Sequence, residues 1–359
     1  MRKRIIKTLI LAGVRPNFVK IHPLIEEIKK HKIFKPILVH TGQHYDSKLS
    51  KVFFQDLKIP KADYNLKIGS GPGVYQIGKA MIRLEKVVLK EKPDLMIVVG
   101  DANPCLIGSL VAKKLSIPVA HIEAGLRSFD KRMPEEINRI LTDHISDYLF
   151  VSEPSANRNL LQEGIEKEKI FFVGNIMIDT LKETGIKSSK PKEYSVLTLH
   201  RPENIDDKEI FKQIIEAIEE IQKKIKIIWP VHLRAKKQLR SFNFLGRFKK
   251  MKNLKLIEPL SYLEMLSLMS NARLVLTDSG GIQEETTVLR IPCLTLRETT
   301  ERPITVEIGT NKVIGNKKTK IIEESLKILN GKVKKGKTPQ YWDGKTAERI
   351  VKIISKKYD

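Results

Sequence analysis

Short apolar runs alternate with longer amphipathic runs along nearly the whole chain, and no other feature narrows the possible folds as much. The runs at 5–12, 37–40, 94–99, 119–122, 148–151 and 170–173 read as strands. Between them, 18–30 (with a kink expected at Pro23), 46–57, 74–90, 106–115 and 134–145 read as helices. Around 183–194 the chain turns polar, with GIKSSKPK in the middle. A second series follows, with strands at 196–199, 225–229, 254–257, 274–277 and 293–296 and helices at 208–223, 262–269 and 282–289. Apolar strands alternating with helices mean parallel sheets covered on both faces. The expected fold is α/β, with two Rossmann-like doubly wound domains at 1–182 and 195–340, a hinge at 183–194, and a last helix within 345–359 packing back on the first domain. In such sheets ligands bind beyond the carboxyl ends of the strands, so a cleft between the halves is the expected site.

Composition trims the functional classes. At 359 residues the chain has room for about two domains. The net charge of +24 comes mainly from lysines spread over presumed helix faces and loops, not gathered in an aromatic-studded block. That argues against nucleic acid and leaves an anionic small substrate or a lysine-rich surface. Cys105 and Cys293 stand far apart, with neither metal spacing nor a disulfide framework, which points to a reducing cytoplasm. The opening MRKRIIKTLILAG reads as a strand better than as a signal peptide. No run is long enough to span a bilayer, and no membrane partner is expected.

Nearly every strand ends in residues that can do chemistry. The first half offers Gly13, Arg15 and Lys20, then His40–Asp46, then Asp101, then Glu123 and Arg127, and then the adjacent Glu135 and Glu136 at a helix start. Several carboxylates at one sheet edge can serve as base and acid. Dipole stabilisation would account for one of the Glu135/Glu136 pair. The second half offers His200, Arg201, His232, and Asp278-Ser279-Gly280-Gly281 followed by Glu284 and Glu285. A strand, a Gly-Gly turn and a helix start form an anion site. Arg15, Lys20, Arg201, Arg297 and Arg302 are cations suited to a diphosphate, and His200 and His232 suit phosphate contact or proton transfer. There is no GxxxxGK[ST] and no GxGxxG, which disfavours a P-loop NTPase and a common nicotinamide enzyme, and no His/Cys cluster suggests zinc.

The assembled motifs resemble the non-hydrolysing UDP-N-acetylglucosamine 2-epimerase family. They run in order along almost the whole chain: GVRPNFVK at 13–20, HTGQHYD at 40–46, HIEAGLRS at 121–128, MPEEINR at 133–139, FVGN at 172–175, HRPEN at 200–204, PVH at 230–232, DSGGIQEE at 278–285 and RETTERP at 297–303. The resemblance implies a GT-B-like fold and interconversion of UDP-GlcNAc and UDP-ManNAc. UDP would leave across sugar carbons 1 and 2 to give a 2-acetamidoglucal, then add back, with no metal or nicotinamide. It implies Asp101, Glu123, Glu135 and His200 as catalytic positions. Arg15 would lie near the uridine, Ser279, Gly280 and Gly281 on the diphosphate, Glu285 on the ribose, and Arg302 as a further site residue. It also implies a homodimer and a supply of sugars for surface polysaccharide. Where many relatives carry small hydroxyl residues after Gly100-Asp101, this chain reads Ala102-Asn103-Pro104-Cys105. The alternatives are a sister epimerase acting on a UDP-diacetamido-uronate, a GT-B glycosyltransferase, and a UDP-sugar sensor without turnover.

Overall fold

The computed structural model describes residues 4–42, 57, 59–188 and 191–358, with the Arg15 side chain outside that set. They form two compact units, Met1–Glu183 with Gln340–Asp359 and Thr184–Pro339.

The first unit is built on seven parallel strands: β1 (Ile6–Ala12), β2 (Phe34–His40), β3 (Tyr64–Asn65), β4 (Leu95–Val99), β5 (Val119–Ala124), β6 (Tyr148–Val151) and β7 (Ile170–Phe172). Their order is β3-β2-β1-β4-β5-β6-β7. The chain runs outward from β1 to β3, then returns to β4 on the other side of β1. That reversal opens a crevice at the carboxyl ends of β1 and β4, the place where doubly wound sheets bind ligands. The described helices are α1 (Arg15–Lys30), α2 (Gly73–Glu91), α3 (Asn103–Lys114), α4 (Pro134–Ile145), α5 (Pro154–Gln162) and α6 (Ile176–Glu183). Every residue of β4 and β5 is buried, as strands covered on both faces must be.

The second unit repeats the plan with β8 (Tyr194–Thr198), β9 (Lys226–Pro230), β10 (Leu254–Ile257), β11 (Leu274–Thr277), β12 (Cys293–Thr295) and β13 (Asn311–Val313), in the order β10-β9-β8-β11-β12-β13. Its helices are α7 (Pro202–Ile205), α8 (Lys208–Ile221), α9 (Leu233–Ser241), α10 (Leu245–Phe248), α11 (Tyr262–Ser270), α12 (Gly280–Leu289), α13 (Pro303–Glu307) and α14 (Lys318–Leu329). Helix α8 shows how local sequence sets an element. The Asp207 carboxylate accepts from the Glu209 and Ile210 amides at 2.9 and 3.0 Å. Phe211, Ile214, Ile215 and Ile218 then bury one face against Trp229 and its neighbours.

The last helix, α15 (Thr346–Tyr358), belongs to the first unit and packs on α1 and α6. Its approach is fixed at several points. The Trp342 indole donates to the Ser152 carbonyl at 3.0 Å, and the Asp179 carboxylate accepts from the Ala347 amide at 2.7 Å.

Several elements differ from the sequence expectation. Pro23 lies inside a helix that runs unbroken from Arg15 to Lys30. The glycines of the expected Gly-Gly turn are instead the first two residues of α12, with Ser279 as N-cap. Helix α3 starts at Asn103, so the divergent loop is its first turn. Helices α5, α6, α7, α9, α10, α13 and α14 and strands β3 and β13 have no counterpart among the expected elements. The expected helix at 46–57 and the stretch from Gln43 to Asp46 lie outside the described residues, apart from Leu57.

Candidate active site

In the first unit, three carboxylates come to the carboxyl ends of β4 and β5 and the start of α4, each in a different setting. Asp101 follows Gly100, whose φ of +79° turns the chain off β4. The Asp101 carboxylate, partly open to solvent, pairs with the buried Arg139 guanidinium. Its carbonyl accepts from the Asn138 amide at 3.0 Å, which also donates to Asn103 Oδ1 at 3.1 Å. The Cys105 thiol closes the loop by donating to the Val99 carbonyl at 2.9 Å. So two of the divergent residues, Asn103 and Cys105, tie the Asp101 loop down.

Glu123 sits on β5 where the register with β6 slips, and its φ is +68°. A bulge with a non-glycine residue in the left-handed region stores strain and re-aims a side chain. Here the aimed carboxylate is buried, 2.5 Å from Lys20 Nζ.

Glu135 and Glu136 separate cleanly. Glu136 is buried and accepts from the Ser128 amide and hydroxyl, both at 2.9 Å, from the Phe129 amide at 2.8 Å, and from Arg139. It is a structural anchor for the 125–130 loop. Glu135, one step around the helix, is partly exposed with its carboxylate outside that network. Arg139 bridges the anchor and the reactive candidate, since it holds both Glu136 and Asp101.

In the second unit, the ends of β8, β9 and β11 and the start of α12 form a polar cluster. Asp278, wholly buried, accepts from the His200 and Arg201 amides at 3.1 and 3.0 Å and from Asn204 Nδ2 at 3.2 Å, and lies 2.7 Å from His200 Nδ1. Burial alone would raise this carboxylate, but the neighbouring His200 and the amide donors hold it below its ordinary value. One aspartate thus staples the HRPEN loop and orients the half-exposed His200 ring. The His232 ring accepts from the Arg234 amide at 3.3 Å and caps α9, with its centroid 6.1 Å from that of His200.

Ser279 makes no side-chain cap bond, so the hydroxyl and the free amides of α12 are available to an anion. Gly280 is needed for close approach, because a Cβ there would stand 2.7 Å from Glu301 Oε1. Gly281 follows it in the same first turn. Arg302 is buried against Glu284 at 2.5 Å, and Arg297 against Glu301 at 2.8 Å, so neither is simply displayed as a phosphate clamp. Glu285 is fully buried. Burial, opposed by the Tyr262 hydroxyl and reinforced by Glu284, pushes its carboxyl up to about 8.

Among the described residues, no three His, Cys, Asp or Glu side chains gather as a metal would need, and no helix is long and apolar enough to cross a membrane.

The family model described as UDP-N-acetylglucosamine 2-epimerase matches residues 26–355. A UDP-N-acetylglucosamine 2-epimerase of Methanocaldococcus jannaschii is 49% identical over 364 residues, covering 97% of this chain and 99% of that one. The chain belongs to the UDP-N-acetylglucosamine 2-epimerase family. The enzyme class is therefore isomerase, an epimerase. The crystal structure of the M. jannaschii UDP-GlcNAc 2-epimerase in complex with UDP-GlcNAc and UDP matches with a TM-score of 0.90 at 48% identity, covering 98% of this chain and all of that one. The GT-B-like class expected from the sequence is that of these epimerases. A UDP-2,3-diacetamido-2,3-dideoxy-D-glucuronate 2-epimerase of Pseudomonas aeruginosa is also 39% identical over 359 residues, covering 98% of this chain and 99% of that one.

Sequence reasoning included Arg139, Asn138 and Asp278 in its motifs but gave none of them a role. Arg139 had a readable signal: at i+4 from Glu135 and i+3 from Glu136 it faces the same turn. Asp278 had one too, as the charged residue closing a fully buried strand.

Proposed function

We propose that the chain interconverts UDP-GlcNAc and UDP-ManNAc by elimination and re-addition of UDP. In the forward step a carboxylate takes the carbon 2 proton, the carbon 1–oxygen bond breaks with its electron pair leaving on UDP, and a carbon 1–carbon 2 double bond forms. In the return step UDP adds back to carbon 1 of the bound 2-acetamidoglucal while a proton reaches the other face of carbon 2. The cycle is redox neutral, so its electron balance asks for no nicotinamide.

The observation that carries this reading is the set of three differently held carboxylates in the first unit: Asp101 on Arg139, Glu123 on Lys20, and Glu135 standing apart. Proton removal on one face and return on the other needs more than one such group. In the second unit, Ser279, Gly280 and Gly281 at the α12 start would take the diphosphate and the charge that develops as UDP leaves. Glu285 would take the ribose hydroxyls, with His232 and Arg302 at the same site, and Arg15 would act near the uridine. His200, oriented by Asp278, would act at the departing phosphate or on a proton. The bound UDP-GlcNAc and UDP of the M. jannaschii structure support the substrate. We place the enzyme in the cytoplasm, consistent with two free buried cysteines, and give it the supply of activated sugars for surface polysaccharide. It acts as a homodimer.

Protein incubated with UDP-GlcNAc in deuterated water is expected to yield UDP-ManNAc carrying deuterium at carbon 2, read by NMR and mass spectrometry. Asp101→Asn should lose both turnover and deuterium uptake while still binding UDP. Wild-type protein that returns unlabelled UDP-GlcNAc after long incubation would sink the reading. The P. aeruginosa relative supports one second reading, a UDP-diacetamido-uronate as substrate. Turnover of that sugar in preference to UDP-GlcNAc would establish it.

A further inference from the structure

The HIEAGLRS stretch gives the proposed reaction Glu123 but leaves His121 and Arg127 without a task. His121 is wholly buried on β5. Its Nε2 lies 2.7 Å from the Gly100 carbonyl oxygen, and its Nδ1 lies 2.7 Å from Asp143 Oδ1. The other Asp143 oxygen accepts from the Gly125 amide at 3.0 Å and from the Arg127 guanidinium at 2.6 Å. The Arg127 ion pair and the Gly125 amide both favour the ionised carboxylate, so Asp143 accepts from the ring rather than donating to it. The Gly100 carbonyl can only accept. Hydrogen bonds at both ring nitrogens therefore need an N–H on each, which makes His121 an imidazolium.

The charges close around it. Arg127 also forks onto Glu163, with both bonds 2.7 Å, and the His144 ring stands 3.8 Å from the same carboxylate. His121 and Arg127 balance Asp143 and Glu163. Beyond the Gly100 peptide lie the reacting candidates. A Cβ on Gly100 would stand 3.4 Å from Lys20 Nζ, 3.6 Å from Glu123 Oε2 and 4.0 Å from Asn17 Nδ2. A buried ion cluster is weak evidence for stability, because desolvation offsets the pairing. Its presence beneath this peptide has a better account in orientation. A charge-assisted donor grips a carbonyl about twice as firmly as a neutral one.

We infer that His121 is a positioning residue: as an imidazolium held by Asp143, it grips the Gly100 carbonyl and so sets the Asp101 carboxylate against Glu123. This rests on the epimerase reading. Asp143 lies on α4 between Arg139 and the helix end, so one helix carries the Asp101 partner and the anchor of its clamp.

The test has a kinetic arm and a spectroscopic arm. His121→Gln should lower kcat for UDP-GlcNAc about a hundredfold, the cost of an ångström of misplacement, with KM and UDP affinity within about threefold of wild type. In histidine-15N-labelled wild-type protein at pH 8, NMR should show one ring protonated on both nitrogens. That signature should vanish in His121→Gln and in Asp143→Asn, which keeps the volume but removes the counter-charge. The inference is overturned if kcat stays within about threefold, if KM rises and UDP affinity falls by as large a factor as kcat is lowered, or if no doubly protonated ring is present at pH 8. Should neither variant fold, the wild-type spectrum alone decides. Wild-type protein without epimerase activity would instead overturn the function, leaving the spectrum to test the clamp.

Discussion

Glu285 shows how far one side chain can be driven by its surroundings. Its carboxyl titrates near 8 because burial disfavours the charge, with Glu284 adding repulsion against the pull of Tyr262. In the unfolded chain the same group returns to its ordinary 4.5. The folded state therefore holds the extra proton between those values. Stability from this group is complete below 4.5, falls as pH rises, and is gone above 8. Glu285→Gln cannot ionise and escapes that loss, which is roughly 2–5 kcal/mol. Without ligand, its melting temperature should exceed wild type by at least about 4 °C at pH 9, with the gap closing at pH 5. Equal gaps at both values would mean Glu285 is not protonated in the fold. The residue types at the site were legible because strand ends announced them, whereas their assignments were not. Glu135 and Glu136 are neighbours in sequence, and only the Ser128–Phe129 amides converging on Glu136 tell anchor from free carboxylate. Likewise Arg302 reads as a phosphate clamp until Glu284 is seen beside it.

Elements were legible where burial dictated the pattern. Strand β4, LMIVV, is apolar on every residue, and β11, LVLT, is apolar up to the buried Thr277. The two-residue β3 is too short for any periodicity, and the α12 start was misplaced because Gly-Gly reads as a break. Tertiary contact with Glu301 accounts for the glycine at 280. Helix α15 is the element whose attachment can be tested. Trp342 is almost fully buried and its indole donates to Ser152. Gly174 admits no side chain, since a Cβ there would stand 2.0 Å from the Tyr341 carbonyl. Trp342→Ala removes both packing and hydrogen bond and should cost about 3–5 kcal/mol. Limited trypsin digestion followed by mass spectrometry should then cut first within α15, at Lys352 or Lys356. A digestion pattern identical to wild type would show that Trp342 does not secure the helix.

At the scale of the whole molecule, the proposed homodimer has to reconcile a large net charge with self-association. A net charge of +24 makes two copies repel. Yet α2 carries Tyr75, Ile82 and Leu89 on one face, seven residues apart, at 58%, 62% and 56% exposure, with the small Gly78 between the first two. A stripe of that regularity suits the isologous contact of a two-fold dimer, where each residue counts twice. The two effects respond oppositely to salt. Screening weakens the long-range repulsion and leaves apolar burial intact. The proposed dimer should therefore tighten as sodium chloride rises from about 50 to about 500 mM, where the Debye length falls from above 10 Å to below 8 Å. Sedimentation equilibrium should read this as a falling dissociation constant. Ile82→Glu places two like charges at the symmetric contact and should leave monomer at least tenfold more favoured, with an unchanged circular dichroism spectrum. A dimer that loosens with salt would point to an interface held by ion pairs. A dimer indifferent to Ile82→Glu would move the interface away from α2.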